Sequence, residues 1–225
     1  MGFAARSTVQ ADFDRIALLP EGWHHSGELH EYLLGQLPAR CETALEIGCG
    51  TGAFSRRLAG RAERVLALDL SPNMIRVARE RSAAFPQIEY RVADALSEPL
   101  AAESFDCVAS IATLHHLPIG PMLARLRGAL RTGGTLAIAD LVADAGPRDW
   151  LVSAAAVPVN VALRLAKTGR LRDPPEVRRA WRDHGRSDVY LTLPQVRSAC
   201  AAELPAARVR RHLLWRYSIV WRKPG

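Results

Sequence analysis

Short apolar runs recur along the chain and alternate with stretches in which apolar residues follow helical spacing. The apolar runs predict five buried strands, at 43–47, 65–69, 88–93, 105–111 and 135–141, and the glycines of 132–134 predict a turn before the fifth strand. The helical spacing predicts helices at 53–59, from Pro72, at 122–130 and at 194–204, with a short N-terminal helix that ends near Leu37. This alternation favours an α/β fold whose parallel sheet is covered on both faces. Between residues 208 and 222, apolar and polar positions alternate, which predicts a half-exposed pair of strands.

Three alternate glycines follow the first predicted strand. Gly48, Gly50 and Gly52 end the apolar run, and a helical stretch begins directly after them. Glycine permits backbone angles that a Cβ forbids, and it lets a ligand lie against the main chain at the N-terminal end of a helix. The spacing is G-x-G-x-G, not the G-x-G-x-x-G of dinucleotide-binding folds, and no Lys-Ser or Lys-Thr pair follows to form a phosphate loop. The pattern therefore argues against NAD and ATP as ligands of this loop.

Acidic residues stand at the ends of the next two predicted strands. Asp69 ends the second strand, 17 residues beyond Gly52, about where nucleotide-binding α/β units place an acid for the ribose hydroxyls. A carboxylate suits a diol because it only accepts hydrogen bonds and a diol offers two donors. Asp94 follows the third strand. Open parallel sheets bind ligands outside the carboxyl ends of their strands, so we expect both acids and the glycine loop to face one ligand.

Three of these features together resemble a known family. The run Glu46-x-Gly48-x-Gly50-x-Gly52, the strand that ends in Asp69, and Val92-Ala93-Asp94-Ala95 are similar to the first three signature motifs of class I S-adenosylmethionine-dependent methyltransferases. The resemblance spans roughly residues 43–141 and is closest to the small-molecule and quinone methyltransferase branch. It implies a Rossmann-like seven-stranded sheet, mostly parallel with an antiparallel last strand and with helices on both faces. It also implies S-adenosylmethionine as cofactor and S-adenosylhomocysteine as product.

The same resemblance assigns roles to residues of this chain. Glu46 and the main chain of the glycine loop hold the methionine part of the cofactor, and Asp69 holds the ribose hydroxyls. Leu70 flanks the adenine, and Asp94 and the Ala95 amide recognise its edge. The implied cofactor-binding residues are Glu46, Gly48, Cys49, Gly50, Gly52, Asp69, Leu70, Asp94, Ala95, Ser110 and Ile111. The last two are expected to line the methionine side through main-chain groups.

Histidine and aromatic residues outside the motifs are candidates for the acceptor side. An imidazole has a pKa near neutrality, which suits a general base, and we predict His116 and His25 as catalytic residues. The residues predicted to bind the substrate are Trp23, His24, His30, His115 and Tyr190. Two alternatives stay open: one histidine of the pair after the fourth strand caps a helix or binds a backbone carbonyl, and the N-terminal histidines lie exposed on a helix.

A metal site in the N-terminal segment is a competing hypothesis. His25, Glu28, His30 and Glu31 are potential ligands, but their spacing matches no zinc signature. We therefore predict no metal ion.

We expect one domain over residues 1–225 with four parts. These are an N-terminal helical cap at 1–38, a cofactor-binding core at 39–143, a substrate-region insertion at 144–190, and the last helix and strands at 191–225. Within the insertion, residues 147–169 predict a helix with a proline interruption at Pro158. The cap and the insertion flank the ligand edge of the core. Acceptor specificity is therefore predicted to lie in residues 12–32 and 145–190.

Composition and cysteine usage set the expected compartment. The 225 residues are 48% hydrophobic, which is enough for one good core. The four cysteines form no C-x-x-C pair, and the N-terminus lacks the basic end and apolar run of a signal peptide, so we predict reduced thiols in a cytoplasmic protein. The stretch 150–163 is apolar but contains Pro158 and Asn160, and it falls short of the ~20 residues of a spanning helix. No membrane span is predicted.

Charge is unevenly distributed along the chain. Residues 1–144 carry 14 basic and 17 acidic residues, whereas residues 145–225 carry 16 and 6. A basic half favours an acidic partner such as RNA. However, 28 of the 30 basic residues are arginine, a bias that coding composition can produce, and no basic loop is interleaved with aromatic residues for base stacking. Solvated arginines on helix faces are the favoured interpretation, and nucleic acid is not the expected partner.

These observations predict an S-adenosylmethionine-dependent methyltransferase that acts on a small molecule, by O- or N-methylation of a secondary metabolite or quinone-like acceptor. One alternative is an RNA-modifying methyltransferase, although the chain has neither the Asn-Pro-Pro-Tyr motif nor the paired motif cysteines of such families. The other is a non-catalytic cofactor-binding protein, which loss of the glycines or Asp69 would indicate; all are present. The oligomeric state is left open.

Overall fold

The computed structural model of the chain describes residues 6–20, 26–186 and 188–225. Seven strands of these residues form a single sheet in the order β3-β2-β1-β4-β5-β7-β6. They are β1 Cys41–Ile47, β2 Ala62–Asp69, β3 Ile88–Val92, β4 Phe105–Ile111, β5 Leu130–Leu141, β6 Arg208–His212 and β7 Arg216–Arg222. Neighbouring strands from β3 to β5 are parallel, and β7 is antiparallel to both β5 and β6. The predicted mostly parallel sheet with an antiparallel last strand is confirmed.

Helices cover both faces of this sheet. They are α1 Arg6–Ile16, α2 Ser26–Gln36, α3 Ala53–Leu58, α4 Pro72–Arg81, α5 Ile119–Ala129, α6 Pro147–Thr168, α7 Pro175–His184 and α8 Leu193–Glu203, with a short 3₁₀ helix at Leu114–His116. Successive strand residues point to opposite faces. Leu45 and Ile47 therefore pack in the core beneath α5 and α8, whereas Ala44 packs in the core beneath α2 and α3.

The order of the strands places a ligand crevice beside β1. The chain builds β2 and β3 on one side of β1, and then crosses to build β4 and β5 on the other side. The crossovers diverge at this point, which leaves an open crevice outside the carboxyl ends of β1, β2 and β4. The start of α4 is held beside the crevice by its cap, because Ser71 Oγ accepts a hydrogen bond from the Met74 amide at 3.1 Å and Pro72 occupies the first turn.

The predicted turn at residues 132–134 is instead part of a strand. β5 begins at Leu130 and runs through both glycines, whereas the sequence pattern predicted a strand from Thr135. The end of the chain explains the difference: the Gly133 amide donates to the Lys223 carbonyl, and the Lys223 amide donates to the Gly134 carbonyl. Pairing with the last strand therefore overrides the turn signal of two glycines.

The predicted proline interruption of the helix in the insertion is wrong. α6 runs without a break for 22 residues through Pro158 and Asn160. A proline inside a helix removes one backbone donor and crowds the carbonyl four residues earlier, but the turns on both sides of Pro158 stay helical. Among the residues that the structure describes, α6 alone is long and apolar enough to cross a membrane by length and composition, and only 6% of that window is buried. This is weak evidence for a span, and the absence of one stays a prediction.

The four cysteines form no disulfide in the structure; Cys41 is half-buried and the other three are buried. The cytoplasmic location stays a prediction.

Candidate active site

A cavity of about 1220 Å³ fills the crevice at the carboxyl ends of β1, β2 and β4. The glycine loop and the residues after β2 and β3 form one end of it. The 3₁₀ helix, Tyr190 and Arg216 contribute to the other end. α1 and α7 pack against each other and line the cavity with Val9, Phe13, Val177 and Trp181. The cavity therefore has a glycine-loop end, which suits a nucleotide, and a histidine-rich end, which is aromatic and lies beneath α1 and α7.

The glycine loop has no room for side chains at two of its three glycines. Gly48, Gly50 and Gly52 all have positive φ, at 70°, 52° and 76°. A Cβ at Gly48 would lie 2.0 Å from Thr113 Oγ1, and one at Gly52 would lie 2.3 Å from the Tyr90 hydroxyl oxygen. A Cβ at Gly50 would meet no other atom within 4 Å, and this residue lines the cavity. The loop is thus a bare main-chain surface that fits a closely approaching ligand.

Asp69 ties that loop to the start of α4. Its Oδ2 accepts a hydrogen bond from the Gly50 amide at 2.8 Å, and its Oδ1 accepts one from the Ser71 amide at 2.9 Å. Burial raises the pKa of this carboxyl, although the two amides oppose the shift. Asp69 and Leu70 both line the cavity, as the predicted ribose and adenine contacts require.

Glu46 is a buried acid beneath the glycine loop. It is 2% exposed, and the Ser55 hydroxyl donates a hydrogen bond to its Oε2 at 2.5 Å. Burial raises the pKa of Glu46 to about 8, with a smaller contribution from the charge of Asp69 and an opposing one from the Ser55 hydrogen bond. Because Glu46 also lines the cavity, a ligand cation placed beside it would stabilise the carboxylate.

Replacing Glu46 with Gln should remove a pH dependence of stability. The pKa of about 8 in the folded protein lies above the ordinary value of 4.5, so the folded state retains a proton that the unfolded state releases. The stabilisation is complete below pH ~4.5 and is lost as the pH rises through about 8. Between about pH 5 and pH 8, urea unfolding of the cofactor-free proteins should show that wild type loses stability relative to Glu46→Gln, by an amount on the order of a few kcal/mol. If the free energy of unfolding changed with pH in the same way in wild type and in Glu46→Gln, Glu46 would have an ordinary pKa.

Four of the other predicted cofactor residues line the cavity. They are Cys49, Asp94, Ala95 and Ile111. Asp94 Oδ1 accepts a hydrogen bond from the Leu96 amide at 2.9 Å, and its Oδ2 lies 2.5 Å from the Arg6 guanidinium of α1. Through Arg6, α1 therefore reaches the glycine-loop end of the cavity.

Two predicted cofactor residues do not line the cavity. Ser110 is fully buried inside the sheet, where its hydroxyl donates to the Ile47 carbonyl at 2.9 Å. Ile111 reaches the cavity wall, and the main-chain contact of Ser110 with the methionine side stays a prediction. Gly52 stands behind the loop as the N-cap of α3, where the approach of Tyr90 requires a glycine. Its role in this structure is to shape the loop.

The histidine-rich end of the cavity is built around a buried carboxylate. His115 Nδ1 lies 2.7 Å from Asp140 Oδ1, and the His115 amide donates to Asp140 Oδ2 at 2.8 Å. Asp140 is fully buried near the end of β5. Burial opposes ionisation of Asp140, but the contacts with His115 and with backbone amides outweigh burial and lower its pKa. The sequence prediction missed Asp140, although an acid near the end of an apolar strand was the available signal.

His116 lies in the cavity wall between several aromatic rings. Its ring centroid is 3.9 Å from that of His115, 5.0 Å from that of His184 and 5.6 Å from that of Phe13. Burial and the two neighbouring imidazoles lower its pKa to about 3. His116 is therefore uncharged at neutral pH, and the near-neutral pKa expected of a general base is not found at this residue.

The remaining predicted substrate residues are spread over the cavity and beyond the described part of the chain. His30 lies at the glycine-loop end beside Phe54, where burial, with a smaller effect of Arg57, lowers its pKa to about 4. Tyr190 is at the histidine-rich end, and its hydroxyl donates to Asp188 Oδ2 at 2.8 Å. Trp23, His24 and His25 lie outside the described residues. The metal hypothesis at His25 and Glu28 also depends on side chains outside that part.

Three more residues at this end were not predicted. His184 closes α7, Asp188 follows it, and Arg216 begins β7; all three line the cavity. Their positions along the sequence carried no motif, since they come from the insertion and from the last strand.

Comparison with known proteins places the cavity in context. A family model described as "Methyltransferase domain" matches residues 45–138. An uncharacterized methyltransferase of Mycobacterium tuberculosis is 29% identical over 211 residues, which cover 92% of this chain and 100% of that protein. The 2-phytyl-1,4-naphtoquinone methyltransferase of Thermosynechococcus vestitus is 38% identical over 110 residues, which cover 44% of this chain and 48% of that protein.

The fold is also found among solved structures. The N-methyltransferase NodS of Bradyrhizobium japonicum, in complex with S-adenosyl-L-homocysteine, superposes with a TM-score of 0.67 at 18% identity. The match covers 96% of this chain and 99% of that one. At this level of identity the likeness concerns the fold alone.

Proposed function

We propose that this chain, which belongs to the class I S-adenosylmethionine-dependent methyltransferases, methylates an oxygen or nitrogen of a small secondary-metabolite or quinone-like acceptor. The proposal rests on the size of the cavity and on the different chemistry of its two ends. Pockets for one drug-sized ligand have volumes of about 300–1,000 Å³, whereas this cavity has about 1220 Å³. It is large enough for the cofactor at the glycine-loop end and for a second small molecule at the other end.

The helices α1 and α7 form a roof over the histidine-rich end of the cavity, which is the proposed acceptor end. This roof favours a small molecule over a polymer as the acceptor. Phe13 of α1 packs edge-on against His184 at 4.6 Å and against Trp181 at 6.3 Å, measured between ring centroids. These contacts join α1 to α7 above the histidines. An RNA strand needs an open groove with exposed stacking platforms, and a roofed cavity suits a molecule that enters whole.

The lining of the acceptor end suits a flat ring that carries an oxygen. Phe13 and Trp181 offer apolar ring surface, which favours aromatic or quinonoid partners. Arg216 lies in the same wall, its Nη1 is buried, and no described residue accepts a hydrogen bond from this atom. An oxygen of the acceptor would satisfy this donor. The relative from Thermosynechococcus vestitus is named for a naphthoquinone, which is of the same chemical class.

Catalysis at such a site relies on positioning. The cofactor supplies a methyl group that is already activated on a sulfonium. Holding the acceptor atom in line with that group can lower the barrier by about 7–11 kcal/mol, more than a proton acceptor usually contributes. The glycine loop, Glu46 and Asp69 fix one partner, and Phe13 and Arg216 orient the other. His116 lies in the wall between them, and catalytic roles for His116 and His25 stay predictions.

A labelling experiment tests the proposed acceptor class. The protein is incubated with methyl-labelled S-adenosylmethionine and, in separate reactions, with phenols, quinols, small amines and total RNA. We expect label in one or more small ring compounds, with the methyl group on oxygen or nitrogen as located by mass spectrometry. Label in RNA and in none of the small molecules would contradict the proposal.

Replacing Phe13 with Ala should impair the acceptor side only. The substitution removes the edge-on contacts and opens the roof, so we expect the acceptor KM to rise roughly tenfold. The dissociation constant of S-adenosylhomocysteine, measured by calorimetry, should change little. Leu18→Ala is the matched control, because Leu18 follows the same helix and is 61% exposed. A loss of cofactor affinity with unchanged acceptor KM would mean that α1 serves the cofactor instead.

A further inference from the structure

We infer that His115, His116, His184 and Asp188 form a binding site for a divalent transition-metal ion at the acceptor end of the cavity. The inference goes beyond the proposed function, because it concerns the ion and does not depend on which molecule is methylated. Sequence patterns gave no sign of this site, since His184 lies 68 residues beyond His116 along the chain.

The spacing of the four side chains fits coordination better than direct hydrogen bonding. One ligand atom from each residue lies within 4.8 Å of all the others. His115 Nε2 is 3.8 Å from Asp188 Oδ2, and the nearest nitrogens of His116 and His184 are 3.5 and 3.7 Å from Asp188 Oδ1. Hydrogen bonds are about 2.7–3.2 Å long. Ligands held at about 2.0–2.2 Å from a tetrahedral ion are roughly 3.3–3.6 Å apart, so small movements would complete the site.

Two of the histidines are oriented by carboxylates behind them. His115 Nδ1 contacts Asp140 at 2.7 Å, and His184 Nδ1 contacts Asp12 of α1 at 3.3 Å. An Nδ1–H group that donates to a carboxylate leaves the lone pair on Nε2, which is the atom that faces Asp188 in both residues. Metal-binding histidines are characteristically oriented and polarised in this way.

The charge balance also favours a cation. The Asp140 and Asp188 side chains are 0% and 3% exposed, and both carboxylates contact the same histidine cluster. Arg216 offsets the charge of Asp140. Within the described part of the chain, Asp188 Oδ1 is buried and has no hydrogen-bond partner, and the nearest nitrogen of His116 is Nδ1 at 3.5 Å. A buried carboxylate oxygen requires a hydrogen-bond donor or a cation, and an ion bound among these residues would meet that requirement.

The donor set indicates the class of metal. Three imidazoles and one carboxylate suit Zn²⁺, and also Co²⁺ or another divalent transition metal, whereas Mg²⁺ and Ca²⁺ prefer oxygen ligands alone. The ligands come from the 3₁₀ helix, the end of α7 and the segment after it, and Asp12 supports them from α1. An ion here would therefore join the roof helices to the sheet edge and should raise the stability of the protein.

Titration of chelator-treated, tag-free protein tests the inference. CoCl₂ should produce the intense visible absorption of four-coordinate Co²⁺, and dialysis against ZnCl₂ followed by gel filtration should leave one zinc per chain by elemental analysis. Saturating Zn²⁺ should raise Tm by roughly 5 °C or more. Wild-type protein that retains no metal, or that shows neither the Co²⁺ spectrum nor the shift in Tm, would overturn the inference.

Variants separate this site from adventitious binding. Asp188→Asn and His184→Ala should each weaken Zn²⁺ binding about 100-fold or more. Asp140→Asn, which alters a positioning residue, should weaken it by about 10–100-fold and keep one metal per chain at high concentration. His30→Gln, at the opposite end of the same cavity, is the matched control and should bind as wild type does. If Asp188→Asn fails to fold, His184→Ala is the deciding variant. Wild-type affinity for Zn²⁺ in His184→Ala would refute the assigned site.

Discussion

Replacing Asp69 with Ala should weaken binding of S-adenosylmethionine about 100-fold or more. The carboxylate lies in the cavity wall and can accept hydrogen bonds from two ribose hydroxyls, each worth about 1.5–3 kcal/mol because the acceptor is charged. Loss of two such bonds corresponds to roughly two to four orders of magnitude in the dissociation constant. The same change releases the Gly50 and Ser71 amides that Asp69 now holds, so part of the effect comes from a looser loop.

Calorimetry with S-adenosylhomocysteine measures this loss of affinity. Two further variants separate the lost ribose contacts from the effect of the looser loop. Asp69→Asn keeps the shape and one acceptor oxygen, so its affinity should fall between those of wild type and Asp69→Ala. Ser71→Ala removes the cap of α4 without removing a cavity group, and it should cost roughly 1 kcal/mol of stability while the affinity stays near wild type. An unchanged dissociation constant in folded Asp69→Ala would show that the ribose is held elsewhere.

Replacing Gly48 with Ala should damage both the fold and the cofactor end of the cavity. The new Cβ would lie 2.0 Å from Thr113 Oγ1, on a backbone with φ of 70°. A left-handed conformation costs a residue with a side chain about 1–2 kcal/mol, and forced overpacking adds about 1–3 kcal/mol. We therefore expect the free energy of unfolding to fall by about 2–5 kcal/mol, together with a loss of cofactor affinity because the loop must move.

Gly50→Ala is the matched control for this prediction. It introduces the same methyl group two residues away, at φ of 52°, but with no atom within 4 Å of the new Cβ. It should therefore destabilise the cofactor-free protein only by the cost of the backbone angle, whereas its effect on cofactor affinity should remain large because the methyl group enters the cavity. Thr113→Ala in the Gly48→Ala background should restore part of the lost stability, since it removes the two closest contacts. Equal stability of the two glycine variants in chemical unfolding would argue against this account of the loop.

The cofactor end of the site was predictable because its signals are local. Gly48, Gly50 and Asp69 stand at the ends of apolar runs, and parallel strands bring such ends to one edge regardless of the rest of the chain. Ser110 shows the limit of this reasoning. Strand position placed it near the ligand, but Ser110 does not line the cavity, and only the packing shows that its hydroxyl turns inward to the Ile47 carbonyl.

The acceptor end was only partly predictable, because distant segments assemble it. The position of His115 and His116 followed from the fourth strand, but their surroundings did not. His184, Asp188 and Arg216 come from the insertion and the last strand, and the lowered pKa of His116 depends on burial, on His115 and on His184 from the insertion. Pairing with the end of the chain likewise turned the predicted turn at Gly133 into strand.

The crystal structure of the complex with S-adenosylhomocysteine would test the central claim most directly. We expect the ribose hydroxyls to donate hydrogen bonds to the Asp69 carboxylate. The amino-acid end should lie over the Gly48 and Gly50 main chain beside Glu46, and the sulfur should point towards the histidines. A cofactor bound outside this cavity, or with its ribose away from Asp69, would contradict the account.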